Sequence, residues 1–245
     1  MAGRFTIPRL PRWLRVVLAL QILALGALGF AYLLTLRAPS WWREVKADPQ
    51  TTVAAEQVEN GVVTQLSLVR PADPEAKQGY RSREWSVSLS AEDADAWLGT
   101  RLKQWVENQG GHWPEQLSGA QVEFAPGVIK AGVKLEDGGR VVFVEVAPEV
   151  RADGSLWLMP RGMGAGAMPL PTWLVLQEVR EGVVQRLAAG SARRAQVEEA
   201  IDVLAGKRPA LKDAVVKLDD GRSVRLLKVT PVDGRLELTC RTEKR

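Results

Sequence analysis

The residues able to do chemistry in this chain are few and scattered. They are one histidine, His112, one cysteine, Cys240, and the stretch RGMGAGAMPLPTW, Arg161 to Trp173, with Gly162, Gly164 and Gly166 at alternate positions. Glycines just before a predicted helix raise the possibility of a phosphate cradle. The spacing is G-x-G-x-G, however, and a P-loop requires Lys followed by Ser or Thr at the helix start, where this chain has Leu170-Pro171-Thr172-Trp173. Pro169 and Pro171 also delete two backbone N–H donors that a phosphate would need. The stretch therefore reads as a flexible strand-to-helix bend. A second reading stays open beside it: Met163, Ala165, Met168 and Leu170 make the bend apolar, and a glycine-hinged, methionine-bearing loop suits the wall of a hydrophobic groove.

His112 lies in the turn NQGGHWPEQ, and Ser118 is its nearest hydroxyl in sequence. Nothing in the spacing activates that serine as a nucleophile. A zinc site would have to recruit carboxylates around a single His and a single Cys, and no ligand spacing offers them. Cys240 alternates with Leu236 and Leu238 on a predicted strand and reads as a packed thiol. Glu92, Asp93 and Asp95 fall in the first turn of a predicted helix, where the macrodipole favours acids. Arg193-Arg194 reads as a solvated face, with contact to anionic headgroups as the alternative. No enzyme, metal or cofactor is expected. A hydrolase would need a polar pocket with a perturbed acid or base near His112.

The elements that must position these residues begin with an apolar run. Val16 to Leu36 passes 21 residues without a charge, long enough at ~1.5 Å per residue to span the ~30 Å hydrocarbon core. An uncleaved membrane anchor is expected. A cleaved signal peptide is the rival, but its small-residue site, Ala27-Leu28-Gly29, would fall inside the apolar run. Arg4, Arg9, Arg12 and Arg15 precede the run with no acid among them, which places the N-terminus in the cytoplasm and the rest outside it. Trp13 on one side and Tyr32, Trp41 and Trp42 on the other suit headgroup depth. The remaining residues carry 29 basic and 29 acidic side chains. Bulk charge thus gives no hint of a nucleic-acid face.

Residues 37–83 read as a juxtamembrane stalk, a helix from about Pro49, and a loop at 70–83. Stretch 62–69 could continue the helix or begin a strand. Trp85–Leu89 alternates as a half-buried strand. Ser90 then opens a helix in capping-box style, with Asp93 at the reciprocal position, running to about Asn108 with Trp97, Leu98, Leu102 and Trp105 on its apolar stripe. From Ala120 to Pro160 four strands divided by Pro126-Gly127, Asp137-Gly138-Gly139 and Asp153-Gly154 form an antiparallel meander. A helix from Pro171 to about Ala189 carries Leu176, Val179, Val183 and Leu187. Another covers 192–205, and three strands close the chain. Strands in runs, followed by helices in runs, indicate α+β with antiparallel sheet. The expected organisation is a basic tail at 1–15, an anchor at 16–36, the stalk, helix and loop at 37–83, and an α+β domain at 84–245.

WSVSLSAEDADAWLGTRLKQW, residues 85–105, resembles the strand-then-helix motif of YpmS-type membrane-anchored domains. DGSLWLMPRGMGAGAMPLP, residues 153–171, is similar to their later strand and glycine-containing turn. Ala94-Asp95 stands where an apolar–Asn pair is usual. The resemblance implies an exported α+β body related in appearance to tubular lipid-binding folds, and the binding of a lipid or other envelope component without catalysis. Trp97, Trp105, Met163, Met168 and Leu170 are the candidate groove-lining residues. The competing expectation is a scaffold or assembly subunit that packs on an envelope protein partner.

Overall fold

A computed structural model describes residues 12–45, 48–76, 79–182 and 190–244. The start of the basic tail, and the helix positions Val183, Leu187 and Ala189, lie outside the described residues. Side chains at Trp13, Val179 and Arg193 lie outside them as well. The architecture is α+β with two antiparallel sheets.

The first sheet contains the four-stranded meander expected over 120–160 and adds a fifth strand. It runs β3 (Leu117–Ala125), β4 (Val128–Leu135), β5 (Val141–Val150), β6 (Leu156–Ala165) and β7 (Met168–Leu170), each strand beside the next. In the second, β10 (Arg235–Lys244) pairs with β9 (Arg222–Val232), which pairs with β8 (Val215–Lys217). Along its other edge β10 takes β1 (Tyr80–Arg81) and β2 (Trp85–Ser90). The sheets meet at their hairpin turns. Gly127 N–H donates to the Pro231 carbonyl at 3.0 Å, and Gly234 N–H to the Phe124 carbonyl at 2.9 Å. Phe124, Val141 and Val146 in the first sheet and Val224 and Cys240 in the second are among the most buried apolar residues.

Six α-helices lie among the described residues: α1 (Arg12–Leu36), α2 (Pro49–Ser67), α3 (Ala91–Thr100), α4 (Leu102–Asn108), α5 (Thr172–Gly182) and α6 (Ala192–Leu204). Asp48 caps α2 through the Thr51 N–H at 2.7 Å, and the helix continues through Gly61 to Ser67, not into a strand. Ser90 caps α3 through the Asp93 N–H at 3.0 Å, but the reciprocal half of the box differs. The Asp93 carboxylate accepts from the Ser90 hydroxyl at 2.6 Å, while the Ala91 N–H finds the Gly234 carbonyl. The single helix expected over 90–108 is divided at Arg101, whose φ of −114° and ψ of −28° lie at the stretched edge of the right-handed helical region. Gly99 and Thr100 precede the break, and the Thr100 hydroxyl bonds back to the Ala96 carbonyl at 2.7 Å, a combination that weakens a helical ladder.

Among the described residues no helix is long and apolar enough to cross a membrane. In α1 the described side chains begin at Leu20, so the uncharged run from Val16 to Leu36 extends beyond them.

The glycine stretch is not the expected bend. It is strand, tight turn and strand: β6 runs through Gly162 and Gly164, Gly166 turns with φ +60°, and β7 pairs back with Met163 opposite Leu170 and Ala165 opposite Met168. Cross-strand register puts Gln121, Gly132, Phe143 and Gly164 in one row on one face of the sheet. A Cβ on Gly164 would stand 2.5 Å from a Phe143 ring carbon and 2.6 Å from the Met168 carbonyl oxygen. The Phe143 ring therefore lies flat across a position that only glycine can hold. Overpacking of this kind costs about 1–3 kcal/mol. Gly164→Ala should lower stability by that amount in thermal unfolding followed by near-ultraviolet circular dichroism, whereas Gly119→Ala, with open space around its Cβ position, should leave it unchanged.

Candidate functional site

The same row of the sheet receives the chain as it leaves α1. A Cβ on Gly132 would stand 2.8 Å from the Trp41 ring and 3.2 Å from that of Trp42, so both indoles lie in the furrow its missing side chain leaves. Trp41 meets Trp42 edge-on at 5.9 Å and Phe143 at 6.0 Å, favourable geometry for aromatic pairs. Beside them the buried Gln121 side chain clasps the backbone of Arg43. Its Oε1 accepts from the Arg43 N–H at 2.9 Å, and its Nε2 donates to the Arg43 carbonyl. The first residues of the expected stalk are thus a strap packed on the sheet.

The β6–β7 turn completes the attachment. Gly166 N–H donates to the Val141 carbonyl at 2.7 Å, while the neighbouring Ala167 N–H donates to the Leu34 carbonyl at 2.9 Å. The last carbonyls of a helix have no partner within it, and here the hairpin supplies one. A Cβ on Gly166 would stand 2.5 Å from the Leu34 oxygen. The Arg140 guanidinium sits 5.6 Å over the Tyr32 ring, a cation–π contact on the same end of α1.

The opposite face of the sheet carries Ala131, Val133, Val142, Val144 and Met163. Helices α5 and α6 cover it with Val175, Leu176, Ile201 and Leu204, joined to each other by Arg180–Asp202 at 3.5 Å. Between sheet and helices lies a cavity of about 330 Å³ whose walls are almost wholly apolar. Of the five residues expected to line a groove, Met163 is in its wall, buried to 4% exposure. Met168 and Leu170 share its face of the sheet on the next strand but are not in the wall. Trp97 and Trp105 are elsewhere: they pair edge-on at 6.3 Å across the α3–α4 break, and Leu98 is the α3 residue that reaches the cavity. Val142 and Val144 were legible as one face of a strand. The helix residues opposite them were legible as apolar stripes, but not as the other wall of the same space.

A second, polar hollow of about 540 Å³ lies between Arg43, Asp48, Thr51, Glu92, Asp93 and Asp95. Three of its acids do structural work. Asp48 caps α2, Asp93 bonds Ser90, and Asp95 Oδ1 accepts the Val122 N–H of edge strand β3 at 2.7 Å. Among the described residues no group of His, Cys, Asp and Glu could hold a metal ion. His112 is exposed, and the Ser118 hydroxyl is turned to the Lys134 carbonyl at 3.3 Å. Cys240 is a buried free thiol whose pKa burial raises against the opposing charge of Arg70.

No family model matches this chain, and no curated protein or solved structure is significantly similar to it.

Burial pushes the Asp95 carboxyl up to about 6, with the Val122 N–H and the Arg43 charge opposing. A carboxyl whose pKa is raised on folding binds its proton more tightly in the native state. Stability therefore falls as pH rises from the unfolded value near 4 through about 6. Asp95→Asn keeps the oxygen that accepts from Val122 and removes the charge. It should abolish that decline and raise stability at pH 7 by about 1 kcal/mol once solvent screening is allowed for. The shift in Tm is then roughly 2–4 °C, and thermal unfolding at pH 4 and pH 7 measures both effects.

Proposed function

We propose that this protein is a membrane-anchored, extracytoplasmic, non-enzymatic domain that binds the acyl chain of a lipid or a similar apolar envelope component. The observation that carries the reading is the apolar cavity between the first sheet and α5–α6, held beside an apolar helix by direct backbone contact. Its volume is at the lower end of the roughly 300–1,000 Å³ of small-molecule sites. That suits one chain, not a whole two-chain lipid.

The anchor reading rests on the uncharged run from Val16 to Leu36 and the arginines before it. It is supported by the surroundings of α1, where Ile22, Leu23, Leu25, Leu28 and Phe30 are each more than 60% exposed on the protein's own surface. A continuous apolar surface of that size needs a non-aqueous partner. The arginines put the N-terminus in the cytoplasm and the body outside. The resemblance to YpmS-type domains points to the same class of ligand. At Asp95, where that motif usually has Asn, either residue can accept the Val122 N–H.

A second reading, an assembly subunit, is favoured by the exposed apolar residues of α2 and the segment after it: Val53, Val62, Val63, Leu68 and Val69. The two readings separate in one experiment. The full chain is reconstituted in vesicles of phosphatidylcholine bearing a diazirine on one acyl chain, irradiated, and mapped by peptide mass spectrometry. The lipid reading expects label on the cavity walls, in 131–144, at Met163 and in 201–204, as well as on α1. Ala131→Trp, or the gentler Val133→Phe, should remove the cavity label and leave that on α1. Absence of label from those cavity residues, with α1 labelled, would move the function to the assembly reading.

A further inference from the structure

On the anchor reading, we infer that the first turn of α5 is a second membrane contact, in which Trp173 and Leu174 enter the headgroup layer of the bilayer that holds α1. Trp173 is 66% exposed and Leu174 41%, while the next two residues, Val175 and Leu176, turn inward to the cavity. The two large apolar side chains stand side by side on the surface at the start of the helix.

Three features identify the partner as a lipid surface. The first is position. Ala167 is bonded to the Leu34 carbonyl of α1, and only β7 and Pro171 separate it from α5. At ~3.3 Å per residue this places Trp173 within about 20 Å of the end of α1. That end of α1 is itself apolar and exposed, with Leu33 and Leu36 on its surface.

The second is polarity along the helix. After Trp173 and Leu174 the outward positions become Gln177, Arg180 and Glu181, all exposed. A helix lying on a protein partner would keep an apolar stripe along its length. One that dips a single turn into an interface changes from apolar to polar along its axis, and tryptophan is the side chain that settles at that boundary. The third is charge. Arg37 follows the end of α1, and Arg140 stands over Tyr32, so cations stand at the α1 end where anionic headgroups would lie. Tethered at α1 and resting on α5, the body would hold its cavity against the leaflet.

The test uses the full chain in vesicles of phosphatidylcholine and phosphatidylglycerol. Nitroxides are attached at Trp173→Cys, Leu174→Cys, Leu28→Cys and Val216→Cys, one per protein. The native Cys240 is buried and competes poorly for label. Accessibility is read with oxygen, which concentrates in lipid, and with a water-soluble nickel chelate. The inference expects labels at 173 and 174 to gain oxygen contact and lose nickel contact relative to 216, with 28 deeper still. If 28 is deep while 173 and 174 are as open to nickel as 216, the second contact is wrong and the anchor stands. Loss of both oxygen and nickel contact at 173 and 174 would mean a protein covers the patch, which also overturns the inference. If 28 is open to nickel, the anchor reading fails and takes the inference with it.

Discussion

Two of the four positions in the row Gln121–Gly132–Phe143–Gly164 carry no side chain, and the attachment of α1 to the body depends on that. Without a Cβ at Gly164, Phe143 can lie down on the sheet. Without one at Gly132, Trp41 and Trp42 can lie beside it. Gln121 supplies the hydrogen bonds that the strap backbone would otherwise lose on leaving water. The strap then has one path across the sheet, and that path brings the end of α1 to the β6–β7 turn.

The consequence is that the helix and the cavity are coupled through a single sheet. One face of β4, β5 and β6 carries the aromatic strap, and the other face of the same strands forms the wall around Val142, Val144 and Met163. Strands alternate their side chains, so the small residues needed on the strap face leave the aliphatic residues on the cavity face undisturbed. A tether of free chain would let the body tumble relative to α1. A helix whose Leu34 carbonyl is bonded by the body itself fixes the cavity's position relative to that helix.

Much of this was legible in local sequence, where local rules decide the outcome. Strict alternation and the Pro-Gly and Asp-Gly turns mark the meander, and Ser90 and the apolar stripes mark the helices. The misreadings came where distant partners decide. Gly162, Gly164 and Pro169 all argue against a strand. They occupy strands nonetheless, because Phe143 fills the space over Gly164 and the turn at Gly166 meets α1. Residues 41–43 look like a stalk because their partners, Gln121, Gly132 and Phe143, are far along the chain. Trp97 and Trp105 fit a groove by type, but the break at Arg101 turns them toward each other. The cavity itself was not visible in any one segment, since its walls come from four strands and three helices.

The most direct test of a body fixed to its helix is the hydrogen exchange of the Ala167 amide in the full chain, resolved by nuclear magnetic resonance. Ala167 sits at an exposed turn, and its protection depends on the Leu34 carbonyl of α1. With α1 docked, exchange should be as slow as that of Gly166, whose bond runs to Val141 within the sheet. Exchange at the rate of an unprotected turn, with Gly166 still slow, would contradict it and return α1 to the role of a free tether.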